Sequence, residues 1–349
     1  MKKNIFKQMG VVVLLAGMVL GLAGCGGSGQ EKLYVYNWGD YIDESVLEDF
    51  EKANNVDVIY EQFATNEEMY VKIKAGTAKY DVAIPSDYMI SKMITEDMLH
   101  TIDMNAIPNY AKIDDRFKNL AFDAKNQYSV PYMWGTVGII YNKTMVKEAV
   151  DSWDVLWDEK YTKQILMLDS QRDSIAVALK KLGYSLNSRD EKELAEAKEL
   201  LIQQKPLLMA YVGDEVKDKM IGNEAAMAVV WSGDAVFMKG ENPDLEYVIP
   251  KEGSNIWYDA MVIPKTSQNK AMAQKFIDFM CSTDVAFKNA DYIGYSTPHK
   301  EVIEMLPAEL TSDPAYYPAD GQLENSEVFE DLSEVLPIYD RIWTEIKSQ

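Results

Sequence analysis

Aromatic rings, carboxylates or both recur at six places in the chain, together in Asn37-Trp38-Gly39-Asp40-Tyr41, Pro85-Ser86-Asp87-Tyr88, Trp231-Ser232-Gly233-Asp234 and Trp257-Tyr258-Asp259, acids alone in Asp169-Ser170-Gln171-Arg172-Asp173 and a ring alone in Gly294-Tyr295-Ser296. An alkylammonium ion needs both groups. Carboxylates accept its charge-assisted hydrogen bonds, and ring faces attract the cation while covering its methylene chain. Each ring contact is worth about 0.5–2 kcal/mol, so several together support tight capture. Bland roles compete at every position. Strand aromatics are mostly core, Asp40 also suits the cap of a following helix, and Ser170-x-x-Asp173 has the form of a capping box. The repetition carries the weight, not any single instance.

The elements that must position these groups alternate in type. Leu33–Tyr36 reads as a strand, Glu44–Lys52 as a helix, Val56–Tyr60 as a strand, Glu67–Lys74 as a helix stopped by Gly76, and Tyr80–Ile84 as a strand. A second round has strands at Ile165–Leu168, Leu207–Val212, Ala226–Trp231 and Glu246–Ile249, with helices at Ser174–Leu182 and Glu191–Gln203. This βαβ order predicts mainly parallel sheets covered by helices. Two such units, joined by aromatic-rich stretches near Tyr132–Gly138 and Asn255–Asp259, predict an α/β protein of two lobes with a cleft between them. In open α/β sheets ligands sit at the carboxyl ends of strands. The six ring-and-acid stretches fall there.

The amino-terminal end reads as an address. Lys2, Lys3 and Lys7 precede an apolar run, Val11–Leu22, that is short for a membrane span and ends in Leu22-Ala23-Gly24-Cys25. That pattern predicts a signal peptide over 1–24, acylation of Cys25 and a flexible tether over 25–30. The formal charge is −21, and losing those three lysines with no acid gives −24. So acidic a chain is a poor partner for nucleic acid or anionic membranes and attracts cations. Cys281, the only other cysteine, is expected as a free thiol in the core, leaving no structural disulfide.

Catalytic patterns are missing. The two histidines, His100 and His299, have no zinc spacing, and there is no P-loop, Gly-x-Ser-x-Gly elbow or Gly-x-Gly-x-x-Gly. Ser86 follows a strand as a nucleophile would but lacks flanking glycines and a base. A binder of small molecules, with no metal or organic cofactor, is therefore expected. A sugar or another cation suits the same rings and acids, and a secreted glycosidase using two cleft carboxylates is the enzyme alternative.

The same residues resemble the spermidine/putrescine-binding proteins of bacterial polyamine ABC importers. The likeness rests on Tyr34-x-Tyr36-Asn37-Trp38, Val130-Pro131-Tyr132-x-Trp134-Gly135, Lys181-Leu182-Gly183-Tyr184, Pro250-Lys251-Glu252-Gly253 leading into Trp257-Tyr258-Asp259, and Ile293-Gly294-Tyr295-x-Thr297-Pro298. It spans essentially the whole chain after the leader. The resemblance implies the two-lobed periplasmic-binding-protein fold, with a hinge between lobes, and a lipid-anchored monomer outside the cytoplasmic membrane or in a periplasm. It would deliver putrescine or spermidine to a permease by hinge closure. By position, Trp38, Trp231 and Trp257 match the family's tryptophans around the methylene chain, Tyr41, Tyr88 and Tyr295 its tyrosines, and Ser86 a polar contact. Asp259 matches the acid gripping one ammonium and Asp173 an acid at the other end. Asp234 and Asp40 match putrescine-preferring members, whereas Ser170 and Phe329 replace an acid and a glutamine of spermidine-preferring ones. The resemblance thus leans towards putrescine or an equal preference. The lobes are expected over 31–136 with 258–303, and over 139–255 with 306–349.

Overall fold

The computed structural model describes residues 30–319 and 321–349; the expected signal peptide and the acylated Cys25 lie outside the described residues. Nine strands form one continuous, two-lobed sheet system: β1 (Glu31–Trp38), β2 (Val56–Phe63), β3 (Val82–Ala83), β4 (Ser129–Asn142), β5 (Ile165–Leu168), β6 (Leu208–Val212), β7 (Met227–Trp231), β8 (Leu245–Val248) and β9 (Ile256–Val262). Their order is β2-β1-β3-β9-β4-β7-β5-β6, with β8 also paired to β4. β1 runs parallel to β2 and β3, and β5 runs parallel to β6 and β7. Helices cross over between these parallel strands, as the alternating periodicity predicts.

The two aromatic-rich joins are themselves strands. The 14-residue β4 pairs antiparallel with β9 along Ser129–Thr136, then with β7 and β8 along Val137–Asn142. At these two joins the chain runs inside a hydrogen-bonded ribbon, not through loops, whereas the expected boundary at 303–306 falls at the end of the helix Lys300–Met305. Burial on both faces explains why the sequence shows no alternation here: Val130, Tyr132, Met133, Trp134, Val137, Ile139 and Ile140 are all buried.

Local signals set the helix ends. The helix Glu44–Asn54 starts where Asp43 accepts from the Ser45 amide at 2.9 Å and stops at Asn55, φ +51°. Asp43, not Asp40, supplies this cap. Val46 and Phe50, one helical turn apart, face the core, where Phe50 meets Phe276 edge-on at 5.1 Å. Full burial of such a side chain contributes about 1.5–3 kcal/mol. Ile165–Leu168 and Glu191–Gln204 fall almost where periodicity puts them. The strand expected over Tyr80–Ile84 narrows to Val82–Ala83, although Asp81 and Ile84 still donate to the carbonyls of Tyr34 and Tyr36.

The stretch Pro250–Gly253 acts as a clamp on the second lobe. Glu252 accepts from the Ser152 hydroxyl and the Trp153 amide, and the Gly253 carbonyl accepts from the buried Trp153 indole at 2.9 Å. Gly253 has φ +89°, and a Cβ there would lie 1.9 Å from the Asn325 carbonyl oxygen. A side chain meets both backbone strain and rigid backbone atoms. Gly253→Ala is expected to cost about 2 kcal/mol or more, read as a fall of several degrees in melting temperature; an unchanged melt contradicts this account of the turn.

Candidate functional site

The site is built outward from Asp259. This residue lies in β9, opposite Met133 of β4, and pairs across an isolated antiparallel bridge with Ser86. It is 6% exposed. One carboxylate oxygen accepts from the Tyr41 hydroxyl at 2.8 Å; the other is buried and makes no hydrogen bond among the described residues, although the Ser86 hydroxyl lies close to the carboxylate. Burial pushes its pKa up to about 6, against the pull of donors at Ser86 and Tyr41. Such an orphaned oxygen is costly unless something donates to it.

Rings lead from this acid to a second one. Tyr41 meets Tyr295 edge-on at 5.7 Å, and Tyr295 meets Trp257 edge-on at 5.2 Å. Trp231 and Tyr295 pack on the same cluster as Trp257. The Tyr295 ring covers Gly233, where an added Cβ would fall 2.1 Å from the ring, so only glycine permits this approach. The tyrosine hydroxyl faces Asp234, which is also 6% exposed. Burial raises the pKa of Asp234, while Lys217, 3.2 Å away, lowers it. Burial keeps the phenols of Tyr41 and Tyr295 protonated, so both remain donors.

A third acid stands at the start of the helix Gln171–Lys181. Ser170 caps this helix by accepting from the Asp173 amide, and its hydroxyl donates to the Asp173 carboxylate at 2.6 Å, a side-chain contact in place of the backbone bond of a capping box. The other oxygen of Asp173 is nevertheless buried without a partner among the described residues. Burial raises its pKa. One oxygen of this carboxylate is tied to the capping serine and the other is unfilled.

Ser86 sits at the start of the helix Asp87–Thr95; its amide and hydroxyl are both held by Asn66, which also donates to the Tyr88 hydroxyl at 3.1 Å. Tyr88 meets Phe329 edge-on at 6.2 Å. The guanidinium of Arg172 lies 4.3 Å from the Phe329 ring centre and 5.5 Å from that of Tyr88. With the Lys92–Ser333 hydrogen bond at 2.8 Å, these contacts bring the two lobes together beside the acids.

Trp38 borders the core clusters that Tyr41, Tyr88 and Tyr295 also join, and Asp40 stands apart. Trp38 packs against Phe63 at 4.5 Å, with its indole nitrogen buried and unpartnered among the described residues. Asp40 is exposed in a left-handed turn, φ +49°, where its charge faces Tyr60. The structure brings Tyr41, Ser86, Tyr88, Asp173, Trp231, Asp234, Trp257, Asp259 and Tyr295 around one region and leaves Asp40 at the surface.

Residues 45–319 match the model of the bacterial extracellular solute-binding protein family. The chain belongs to that family. A spermidine/putrescine-binding periplasmic protein of Salmonella typhimurium is 34% identical, with 96% of this chain and 97% of the relative covered. A solved protein from Listeria monocytogenes superposes with a TM-score of 0.87 at 46% identity, over 91% of this chain and 99% of its own. The spermidine/putrescine ABC transporter substrate-binding protein of Streptococcus pneumoniae, solved with calcium and HEPES, gives 0.81 at 44% identity, with the same coverage. Among the described residues of this solute-binding protein, no group of three histidine, cysteine or acidic side chains has metal-holding geometry.

Three groups escaped the sequence reading. Asp87 accepts from the amides of Tyr258 and Tyr88 at 2.9 and 2.6 Å, and burial pushes its pKa up to about 8 beside Asp259. Arg172 and Lys217 are two cations of the region. Asp87 and Arg172 lie inside stretches singled out for their neighbours; Lys217 had no local signal.

The raised pKa of Asp259 makes a stability statement. In the unfolded chain it ionises near the ordinary aspartate value of about 3.9, so its contribution is full below that pH and is lost as pH rises through about 6. Asp259→Asn removes this dependence. Without ligand the variant is expected to gain on the parent between pH 4 and pH 7.5, by up to about 3 kcal/mol. Melts across that range check it; a gap that stays constant or reverses removes the burial account of Asp259.

Proposed function

We propose that this solute-binding protein captures a linear polyamine, putrescine or spermidine, between its lobes and delivers it to an ABC import permease. The observation that carries the reading is Asp259: a buried carboxylate with one oxygen held by Tyr41 and the other unmet, beside the rings of Tyr295 and Trp257. An alkylammonium supplies the missing donor and charge, and its methylenes pack on the rings. Asp173 offers a second unfilled oxygen, and Asp234 a third acid. Trp38, Trp231, Tyr41, Ser86, Tyr88 and Tyr295 complete the binding set. Asp40, exposed, contributes only to the field that draws cations in.

The names of the Salmonella and Streptococcus relatives support this ligand class. Residues 31–136 with 258–303, and 139–255 with 306–349, act as the two moving bodies, and ligand bridging them favours the closed form that a permease engages. The protein works as a monomer held by a lipid on Cys25, a role drawn from Leu22-Ala23-Gly24-Cys25. It binds without turnover. In support, His299 caps the helix Lys300–Met305 and contacts the Cys281 carbonyl at 3.1 Å, and burial pushes the Cys281 thiol up.

Putrescine and spermidine are expected to raise the melting temperature, and monoamines, lysine and sugars far less. In calorimetry Asp259→Asn is expected to weaken polyamine binding by about a hundredfold or more, the cost of an uncompensated buried ammonium. For the parent, binding holds Asp259 ionised, so affinity falls as pH drops through about 6. A melt shifted by sugars and not by polyamines overturns the assignment.

A further inference from the structure

Asp234 is the one acid of the region that already holds an ammonium. That ammonium is the chain's own. Lys217 lies in the short helix Val216–Ile221, which packs against the helix Ser232–Glu241 bearing Asp234. Its Nζ stands 3.2 Å from Asp234 and 3.5 Å from Asp214. The two carboxylates differ in setting. Asp234 has a side chain 8% exposed and faces the Tyr295 hydroxyl, whereas Asp214, in the turn after β6, is 90% exposed. Lys217 itself is a quarter exposed, bridging the interior and the surface.

Resting on the polyamine reading, we propose that Lys217 is a tethered rival of the ligand: its ammonium fills Asp234 while the cleft is empty and passes to Asp214 when an incoming ammonium takes Asp234. A primary ammonium on a flexible methylene stem is chemically the same group as the end of a diamine. It therefore satisfies the same acid by the same donors, and competes for it at the high effective concentration of a tethered group. Burial opposes the charge of Lys217, yet Asp234 and Asp214 outweigh it and raise its pKa, so the ammonium is present throughout the physiological range. Asp214 gives the displaced ammonium a partner within reach, so the exchange strands no charge. The device lowers affinity at that end of the cleft while keeping the empty protein free of an uncompensated buried acid.

The test is calorimetry with putrescine and with spermidine at pH 8 on the parent and on Lys217→Met, Lys217→Gln and Asp214→Asn. Both Lys217 variants are expected to bind the better of the two polyamines at least about tenfold more tightly, equivalent to about 1.4 kcal/mol. Asp214→Asn is expected to bind several-fold more weakly, because the displaced lysine loses its second acceptor. A purely structural ion pair predicts a lower melting temperature for the Lys217 variants with affinity unchanged or reduced; that result, with the parent binding normally, overturns the rivalry alone. A parent that binds neither polyamine overturns the ligand assignment and the rivalry with it.

Discussion

A carboxylate withdrawn from water must gain a counter-charge, a set of donors or a proton. Four acids of this protein, Asp87, Asp173, Asp234 and Asp259, sit under that constraint within one region, and each meets it differently. Asp234 has a lysine. Asp87 has two backbone amides and a pKa near 8. Asp173 has a serine hydroxyl on one oxygen, and Asp259 a tyrosine hydroxyl on one oxygen. The last two keep a buried oxygen each that makes no hydrogen bond among the described residues, with Ser86 beside Asp259 and Asn255 beside Asp173. Folding alone does not favour such an arrangement, because burial without full satisfaction is destabilising. The rings around it, whose phenols stay protonated, add attraction for the cation without adding charge.

The scaffold explains how these acids come to share a region. Tyr41 and Asp259 are 218 residues apart in sequence and 2.8 Å apart in space. β9 returns to the first lobe alongside β4, which carries Asp259 back beside Ser86 and the end of β3. The Gly253 clamp fixes where that return begins, and Gly233 lets Tyr295 lie against the helix that bears Asp234.

Much of this was legible in the sequence. Alternation and short apolar runs located the parallel strands, the fully buried β5 among them, and their crossover helices. The same reading missed β4 and β9 as strands because their rings and, in β4, Gly135 and Gly138 read as joins. The recurrence of ring and acid pointed to Tyr41, Trp257, Asp259, Asp234 and Tyr295, and the structure clusters them. Local pattern misled at Asp40, whose position beside Trp38 looked equivalent to the rest, yet a left-handed turn sends it outward. The cations Arg172 and Lys217 were illegible for a physical reason. Their meaning comes from partners contributed by other elements, such as Tyr88 and Phe329 for Arg172 and the far helix for Lys217.

The hydrogen-bonded ribbon between the lobes also governs how they can part. Gly135 faces Trp257, Thr136 faces Ile256, and the Val137 amide donates to the Asn255 carbonyl at 3.1 Å, so the two crossing strands stay laced through the join. Two laced strands flex readily across their flat face and resist both shear and swivel, since those motions break the ladder. The join therefore behaves as a strap with one soft axis rather than a universal joint. A displacement of one lobe that keeps this ladder intact is therefore a bend across the face of the strands, which leaves the pairing of Gly135 with Trp257 unchanged.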